Sequence, residues 1–442
     1  MRPSKRLIAL VAWWLLLGVA AAIVPAVEVA WQIAGVLLGI ALVADGLLAR
    51  APQDIALTRE VAASLPIGVA SEVRLKIVNR TARALTLAVY DHHPVNAMVE
   101  GLPLVLAHAQ ALPAGRSAQV CYRFTPLQRG DVRFAGCDLR ITAPLGLWER
   151  KHFFAVVSEV RIYPNFAAIM RYTLLATDNR LSQIGILQRR RRGEGLDFHQ
   201  LREYREGDSQ RQIDWKATAR ARKLISREYR DERDQQIVFL IDCGRRMSAA
   251  DADATHLTHF DHVLNAALLL GYVSLRQGDA VGYMTFATDA PRFSAPRKSG
   301  ATVNRLLEGL YDVQPGLMAP DYYLAAVALS TRLKRRAFVI VLSNLRDEDD
   351  DVLAPALRML RDRHLVLFAS LREPSLDETL MKPVKNLDTA LTHAAALDYL
   401  HERSKAMKRI EHGGTMTLDV EPQKLPIALV NRYLEIKRAG RL

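Results

Sequence analysis

The chain has 442 residues, of which 50% are hydrophobic and 24% are charged. This length allows two or three soluble domains with substantial cores, and this composition excludes a largely disordered chain. The net charge of +13 would suit nucleic acid, anionic lipid or an acidic partner, but the sequence has no RNA-binding or zinc-finger signature, so we expect no nucleic-acid partner.

Residues 1–50 are predicted to form a transmembrane hairpin. Residues 7–24 and 29–48 are almost wholly apolar, and each stretch approaches the ~20 residues that a helix needs to cross ~30 Å of hydrocarbon. Arg6 precedes the first span and Arg50 follows the second. Basic residues at both outer ends predict that both ends lie in the cytoplasm. Asp45, near the inner end of the second span, is expected to reach the lipid headgroups.

A cleaved signal peptide is the competing interpretation of the first span. That span has a basic start, and the small residues at 18–22 could be cut. The second apolar stretch argues against this interpretation, because it would remain as a span after cleavage. The hairpin is therefore the favoured prediction.

Residues 51–164 are predicted to form an immunoglobulin-like β-sandwich. Short stretches of alternating apolar residues lie between turns that contain Pro and Gly, and no long helix is evident. The strand candidates are Val73–Val78, Leu85–Tyr90, Gln119–Phe124 and Asp138–Ala143. Such a domain would serve as a spacer or as a docking surface.

Residues 165–234 are interpreted as a linker and a signature segment. Residues 166–192 are expected to be helical and to end in the arginine run Arg189–Arg192. The run has two open interpretations: a solvated linker, or a patch for anionic lipid in which each basic residue close to the bilayer contributes ~1 kcal/mol. The solvated linker is favoured, because the β domain would hold the run away from the membrane.

Residues 235–442 are predicted to form an α/β domain with a doubly wound parallel sheet and a helical extension. Four stretches are continuously apolar, as strands buried on both faces should be, and helical stretches separate them. The four are Gln235–Asp242, Ala280–Ala287, Phe338–Asn344 and Leu365–Leu371. A helix is expected over residues 387–410. Because such sheets bind ligands at the carboxyl ends of their strands, residues 242–248 and 343–347 are the candidate site.

The most specific stretch is GEGLDFHQLREYREGDSQRQIDWKATARARKLISREY, residues 193–229. Together with the strand that follows it and Asp242, it resembles the bacterial membrane proteins called domain of unknown function 58, which are von Willebrand factor A-like. The likeness covers nearly the whole chain. It includes the two spans, RGDVRFAGCDLRITAPLGLWERK at 129–151 and LVNRYLEIKRAG at 429–440.

The resemblance implies a membrane-tethered adaptor in the bacterial inner (cytoplasmic) membrane, with its soluble domains in the cytoplasm. It also implies a MoxR-type AAA+ ATPase as a partner. It implies no reaction, and the sequence has neither a P-loop nor a GxSxG motif, so we expect that the protein is not an enzyme.

The signature mixes opposite charges densely around one tryptophan, and two interpretations of it stay open. One is an ion-paired segment packed over the edge of the A-like domain, with Trp215 as its apolar anchor. The other is a binding surface, since Trp and Arg are favoured at interfaces. The candidate binding residues are Asp208, Arg211, Asp214, Trp215, Lys216 and, beyond the signature, Arg246.

The resemblance also implies the position of a divalent cation. A-like domains hold it with an Asp-x-Ser-x-Ser turn after the first strand, a Thr from a second loop and an Asp after a later strand, and these oxygen ligands suit magnesium. Asp242 matches the first position, but Gly244 and Arg246 replace the serines, Asn344 replaces the later aspartate, and no Thr is convincing. We therefore expect a degenerate site without metal or other cofactor, in which Arg246 pairs with Asp242.

Several other patterns are interpreted as structural. His256, His259 and His262 fan across about 120° of a helix, so only neighbouring pairs could share a ligand. The acidic run at 347–351 is expected to be a solvated helix N-terminus, because acids there favour the helix dipole. Cys243 follows a buried strand and is expected to be a core thiol, and the three cysteines form no CxxC pair.

The leading functional hypothesis is a scaffold or adaptor that presents the loops around Asp242, Arg246 and Asn344 to a protein partner. The alternative is a divalent-cation-dependent binding domain with a residual metal site at Asp242. A hydrolase without a known motif is the third hypothesis. Titration with metal separates the first two.

Overall fold

The computed structural model describes residues 1–48, 54–102, 104–105, 111–165, 197–205, 210–230, 235–250, 257–346 and 349–442. These residues fall into two compact units, Met1–Tyr163 and Pro164–Leu442. The helix expected over residues 166–192, with its arginine run, lies outside the described residues.

Two apolar helices open the first unit. Helix α1 spans Lys5–Ile23 and helix α2 spans Glu28–Leu48, with a 3₁₀ turn at Pro25–Val27 between them. By length and composition, both helices can cross a membrane. The rings of Trp14 and Trp31 stack with their centroids 5.5 Å apart, and the Trp14 indole N–H donates to the Trp31 carbonyl oxygen at 3.2 Å. These contacts join the two helices into a hairpin.

Short strands make up the rest of the described first unit. They form three sheets, with the orders β1-β11-β10-β5-β7, β2-β4-β8-β6 and β3-β12-β9. Their bounds are β1 Arg2–Pro3, β2 Ile55–Glu60, β3 Ser64–Pro66, β4 Ser71–Asn79, β5 Thr86–His92, β6 Ala97–Glu100, β7 Leu104–Val105, β8 Ser117–Pro126, β9 Gly130–Phe134, β10 Gly136–Thr142, β11 Trp148–Phe154 and β12 Ser158–Tyr163. All four strand candidates of this region lie on strands. In β4 and β8 buried and exposed residues alternate, as in a sheet with one face on a core.

Asp45 joins the helical hairpin to these sheets. Its buried carboxylate accepts the backbone N–H groups of Leu145 and Leu147 at 2.8 Å and that of Trp148 at 3.2 Å. The Trp148 indole N–H donates to the Leu42 carbonyl oxygen at 3.0 Å. The expectation that Asp45 reaches the headgroups is therefore wrong, because three donors of a tight turn hold it inside the protein.

The second unit is centred on a sheet of six strands in the order β17-β16-β15-β18-β19-β20. All neighbouring pairs are parallel except β16 and β17. Two further strands, β13 and β14, form a separate antiparallel pair. The bounds are β13 Asp197–Glu203, β14 Ile225–Arg230, β15 Gln236–Asp242, β16 Ala280–Phe286, β17 Phe293–Arg297, β18 Phe338–Ser343, β19 Leu365–Leu371 and β20 Met416–Val420. The four predicted strands are the four central ones.

Helices cover both faces of this sheet. The described helices of the second unit, of which α3 lies with β13 and β14 instead, are α3 Trp215–Ala221, α4 His259–Arg276, α5 Thr302–Leu310, α6 Tyr322–Arg332, α7 Asp350–Arg361, α8 Pro374–Met381, α9 Leu387–His412 and α10 Leu425–Arg438. Ile237, Phe239 and Ile241 of β15 pack in one core with α4 and α10. Val238 and Leu240, which point the other way, pack in a second core with α6 and α7. Because successive side chains of β15 point to opposite faces of the sheet, this strand contributes residues to both cores.

The residues interpreted as structural lie in or beside these cores. Cys243 is fully buried after β15, which confirms the prediction of a core thiol. His259 and His262 are buried in the first turns of α4, and His256 lies outside the described residues.

Candidate functional site at the strand tips

The candidate site lies where β15 and β18 end. These strands are parallel neighbours, with Ile241 opposite Leu342, so their carboxyl ends meet at one edge of the sheet. Asp242 is the last residue of β15. Ser343 is the last residue of β18, and Asn344 follows it. The structure therefore brings Asp242 and Asn344 to the same edge, where the sequence placed them.

The carboxylate of Asp242 is enclosed by the protein's own donors. One oxygen accepts the Gly244 backbone N–H at 2.7 Å, and the other accepts the Ser343 hydroxyl at 2.6 Å. The Ser343 oxygen lies 2.8 Å from the Tyr322 hydroxyl, which donates to it in turn. Burial raises the pKa of Asp242 to about 6, although the bonds from Ser343 and Gly244 oppose the rise. Burial also raises the pKa of Tyr322 well above its usual value.

Arg246 lies beside this network, but it does not pair with Asp242. Its guanidinium forms a buried ion pair with Asp349, and the same nitrogen is 3.5 Å from the Asn344 carbonyl oxygen. The predicted Arg246–Asp242 pairing is therefore wrong, because Asp242 already accepts two closer donors. The expectation of a solvated acidic run is also wrong at Asp349, whereas residues 347–348 lie outside the described part.

Asn344 is held at both ends of its amide. Its oxygen accepts from Arg403 at 3.2 Å, and its NH₂ group donates to Glu373 at 3.2 Å. Arg403 is a buried residue of α9 that also donates to Ser370 and to Asp419, each at 2.7 Å. One guanidinium thus ties α9 to the tips of β18, β19 and β20.

These residues do not fit a magnesium ion. Magnesium takes several oxygen ligands, including waters, but both Asp242 oxygens already accept internal donors and the Asn344 oxygen faces a guanidinium. A Cβ atom on Gly244 would lie 2.7 Å from the Met318 carbonyl oxygen, so a serine could not be added there without moving that loop. No cluster of three or more His, Cys, Asp or Glu suited to a metal occurs within the described ranges.

Exposed apolar side chains lie beside this edge. The loop before α6 covers it, since the Gly316 N–H donates to the Cys243 carbonyl oxygen at 2.7 Å. The same loop and the first turn of α6 present apolar side chains to solvent, and the Leu317 side chain is 92% exposed. We call this set the strand-tip rim: Leu317, Met318, Tyr323 and Leu324.

The described residues of the signature segment form the β13–β14 pair and α3, which lies between these strands in the sequence. Asp214 caps α3, and its carboxylate accepts the Ala217 N–H at 3.0 Å and the Arg227 side chain at 2.9 Å, which together lower its pKa. Trp215 is 68% exposed and Lys216 is exposed beside it. Trp215 is therefore not the apolar anchor of a packed segment.

The two remaining candidates, Asp208 and Arg211, lie wholly or partly outside the described residues. Arg211 lies in the 3₁₀ turn Gln210–Gln212, but its side chain lies outside the described part, as does Asp208 altogether. The structure thus divides the candidates into two groups. Asp242, Arg246 and Asn344 meet at the strand tips, whereas Asp214, Trp215 and Lys216 lie on or beside α3.

A family model described as "Protein of unknown function DUF58" matches residues 200–389. We call residues 200–389 the DUF58 region. The match confirms the predicted resemblance over the DUF58 region, which contains α3 and the strand tips. None of the curated proteins matches the chain.

The solved structures similar to this chain include BatB from Bacteroides thetaiotaomicron and the SpRpn10 VWA domain. BatB has 14% identity and a TM-score of 0.29, with 47% of this chain and 100% of that chain covered. The VWA domain has 12% identity and a TM-score of 0.27, with 45% of this chain and 94% of that chain covered. Both scores are low, so the likeness says nothing about the function of the DUF58 region.

Sequence reasoning missed three residues of the site: Tyr322, Asp349 and Arg403. It did include Ser343, which ends an apolar strand directly before Asn344. Arg403 carried no usable signal, because it lies 59 residues beyond Asn344, on a helix whose other face is solvated.

Proposed function

We propose that this protein is a non-enzymatic adaptor that binds a protein partner through the strand-tip edge of its DUF58 region. In this proposal the two apolar helices anchor it in the bacterial inner membrane, with the soluble units in the cytoplasm. The von Willebrand factor A-like sheet is doubly wound, and the β region acts as an immunoglobulin-like spacer. No metal or other cofactor takes part.

One observation carries the proposal: the side chains that would bind an ion at this edge are bonded to other groups of the protein, yet exposed apolar side chains lie beside them. Asp242, Arg246 and Asn344 all bind protein groups. The strand-tip rim next to them is apolar and solvated. An exposed patch of neighbouring apolar side chains is typical of a protein-binding surface.

The signature segment supplies a second contact in this proposal. Exposed Trp215 and Lys216 lie on α3, and tryptophan is among the residues that dominate binding energy at interfaces. Because the chain resembles proteins associated with MoxR, we propose a MoxR-type AAA+ ATPase as the first partner to test.

The experiment measures binding of the purified ATPase to the full chain in lipid nanodiscs. We expect Leu317→Asp to weaken binding by about tenfold or more, because a charge in a buried interface centre costs over ~1.4 kcal/mol. Trp215→Ala should weaken it similarly. Ile427→Asp is the matched control, since Ile427 is a half-exposed apolar residue of α10 outside the rim. Wild-type affinity in both test variants would show that neither surface binds this partner.

A further inference from the structure

The connection between α8 and α9 carries exposed apolar side chains that the proposed function does not use. Every residue from 381 to 389 is exposed. Met381 is 84% exposed, Leu387 73% and Leu391 61%. We define the α8–α9 tip as Met381, Lys382, Val384, Lys385, Leu387 and Leu391.

The tip is held in one conformation. The Thr389 hydroxyl oxygen accepts the backbone N–H groups of Lys385 and Asn386, each at 3.0 Å, and the Asn386 side chain accepts the Thr389 N–H at 2.9 Å. One turn later, a His393 ring nitrogen lies 3.2 Å from the Leu380 carbonyl oxygen and ties α9 to α8. The apolar side chains are therefore presented to solvent by a capped turn, which lowers the entropic cost of binding.

Two lysines lie among these apolar side chains. Lys382 and Lys385 are exposed, and no carboxylate lies between Glu378 and Asp388 in the sequence. Neither lysine forms an ion pair with another described residue. A long lysine side chain can lie along an apolar surface and bring its ammonium group to a lipid phosphate while its neighbours enter the acyl region.

The composition of the tip favours lipid over protein. Protein interfaces are enriched in arginine and depleted in lysine, whereas residues 381–391 contain two lysines and no arginine. Aliphatic side chains between lysines are typical of segments that lie in the interface of an anionic membrane. The apolar helices α1 and α2 would bring a bilayer within reach of the same chain.

We infer that the α8–α9 tip inserts into the interfacial region of a bilayer that contains anionic lipid. Met381, Val384 and Leu387 enter the acyl boundary, and Lys382 and Lys385 bind phosphate groups. The inference rests on the membrane location in the proposed function, but not on the strand-tip partner. It gives the DUF58 region a membrane contact of its own.

The test places an environment-sensitive fluorophore on the tip. The full chain carries Cys121→Ser and Val384→Cys, and is reconstituted in nanodiscs of phosphatidylcholine with increasing phosphatidylglycerol, some of it nitroxide-labelled. Cys137 and Cys243 are buried, so the label reports on position 384. We expect a blue shift and nitroxide quenching that rise with phosphatidylglycerol. Lys382→Gln with Lys385→Gln should reduce insertion by more than about tenfold, since each basic residue contributes about fivefold.

The control carries the same label at Leu317→Cys, which is expected to stay in water in discs that hold no partner. A Val384 label that stays in water at every lipid composition overturns the inference. So does a label that is shielded only when a disc holds two copies, because the tip would then bind a second copy. If the chain does not enter discs at all, the membrane location itself fails, and the inference fails with it.

Discussion

The carboxyl group of Asp242 is buried away from water, and this makes the stability of the folded protein depend on pH. Burial raises its pKa from 3.8 to about 6. The folded protein therefore binds the Asp242 proton more tightly than the unfolded chain does. The proton on Asp242 therefore stabilises the folded protein fully at pH values below 3.8, the pKa of the unfolded chain. This stabilisation is lost as the pH rises through about 6, the pKa in the folded protein.

We predict that local stability around β15 falls by about 2 kcal/mol between pH 4 and pH 7, since each unit of pKa difference is worth ~1.4 kcal/mol and part of the effect is already lost at pH 4. Hydrogen exchange of the Gln236–Asp242 amides, corrected for the intrinsic rate at each pH, measures this change. Asp242→Asn, which cannot ionise, should remove most of it. Equal pH dependence in the variant and the wild type would show that another group causes the change.

The partners at this site could not be read from the sequence, although its position could. The ends of buried strands follow from apolar runs, so Asp242 and Asn344 were placed at one edge correctly. Side-chain pairing depends on where distant segments meet: Arg246 and Asp349 are 103 residues apart, and Arg403 and Asn344 are 59 apart. The ion pair of Arg246 with Asp349 therefore could not be predicted from any local pattern in the sequence.

At the scale of elements, the central strands were predictable and the edge strands were not. Strands β15 and β18 are buried along almost their whole length, so their apolar runs are continuous. Strands β17 and β20 lie at the two edges and are mostly half-exposed. In their sequences, FSAPR and MTLDV, polar residues and a proline interrupt the apolar ones, as edge strands often show.

The contact between α2 and the strands of the first unit depends on Asp45 and can be tested by substitution. Asp45→Ala removes the acceptor of the Leu145, Leu147 and Trp148 N–H groups, and an unsatisfied buried donor costs about 1–3 kcal/mol. We expect exchange of these three amides to accelerate by about tenfold or more. Asp45→Asn keeps one acceptor oxygen and should have an intermediate effect.

The control for the Asp45 variants is Glu28→Ala, which removes the other acidic residue of α2. Glu28 is exposed, and among the described residues its carboxylate accepts a single 3.5 Å contact, from Gln32. The 145–148 amides should exchange as in the wild type in this variant. Unchanged exchange in Asp45→Ala would mean that water replaces the carboxylate at no cost.

For the whole molecule, the open question is on which side of the membrane the soluble units lie. The chain contains a natural reporter, because Cys121 is exposed while Cys137 and Cys243 are buried. The pKa of Cys121 is raised, foremost by its hydrogen bond with Glu72, so labelling needs mildly alkaline buffer. A maleimide that cannot cross membranes therefore reports the location of the β region.

We predict that this reagent labels the full chain in inverted membrane vesicles but not in intact spheroplasts, because a hairpin with basic outer ends keeps both ends in the cytoplasm. Cys121→Ser should abolish the labelling. Ala26→Cys, in the exposed turn between the spans, should give the opposite pattern in that background. Labelling of Cys121 in spheroplasts would place the soluble units outside. Loss of the first span alone, measured as a lower mass of the purified chain, would instead support a cleaved signal peptide, because cleavage at residues 18–22 leaves Ala26 and the second span in place.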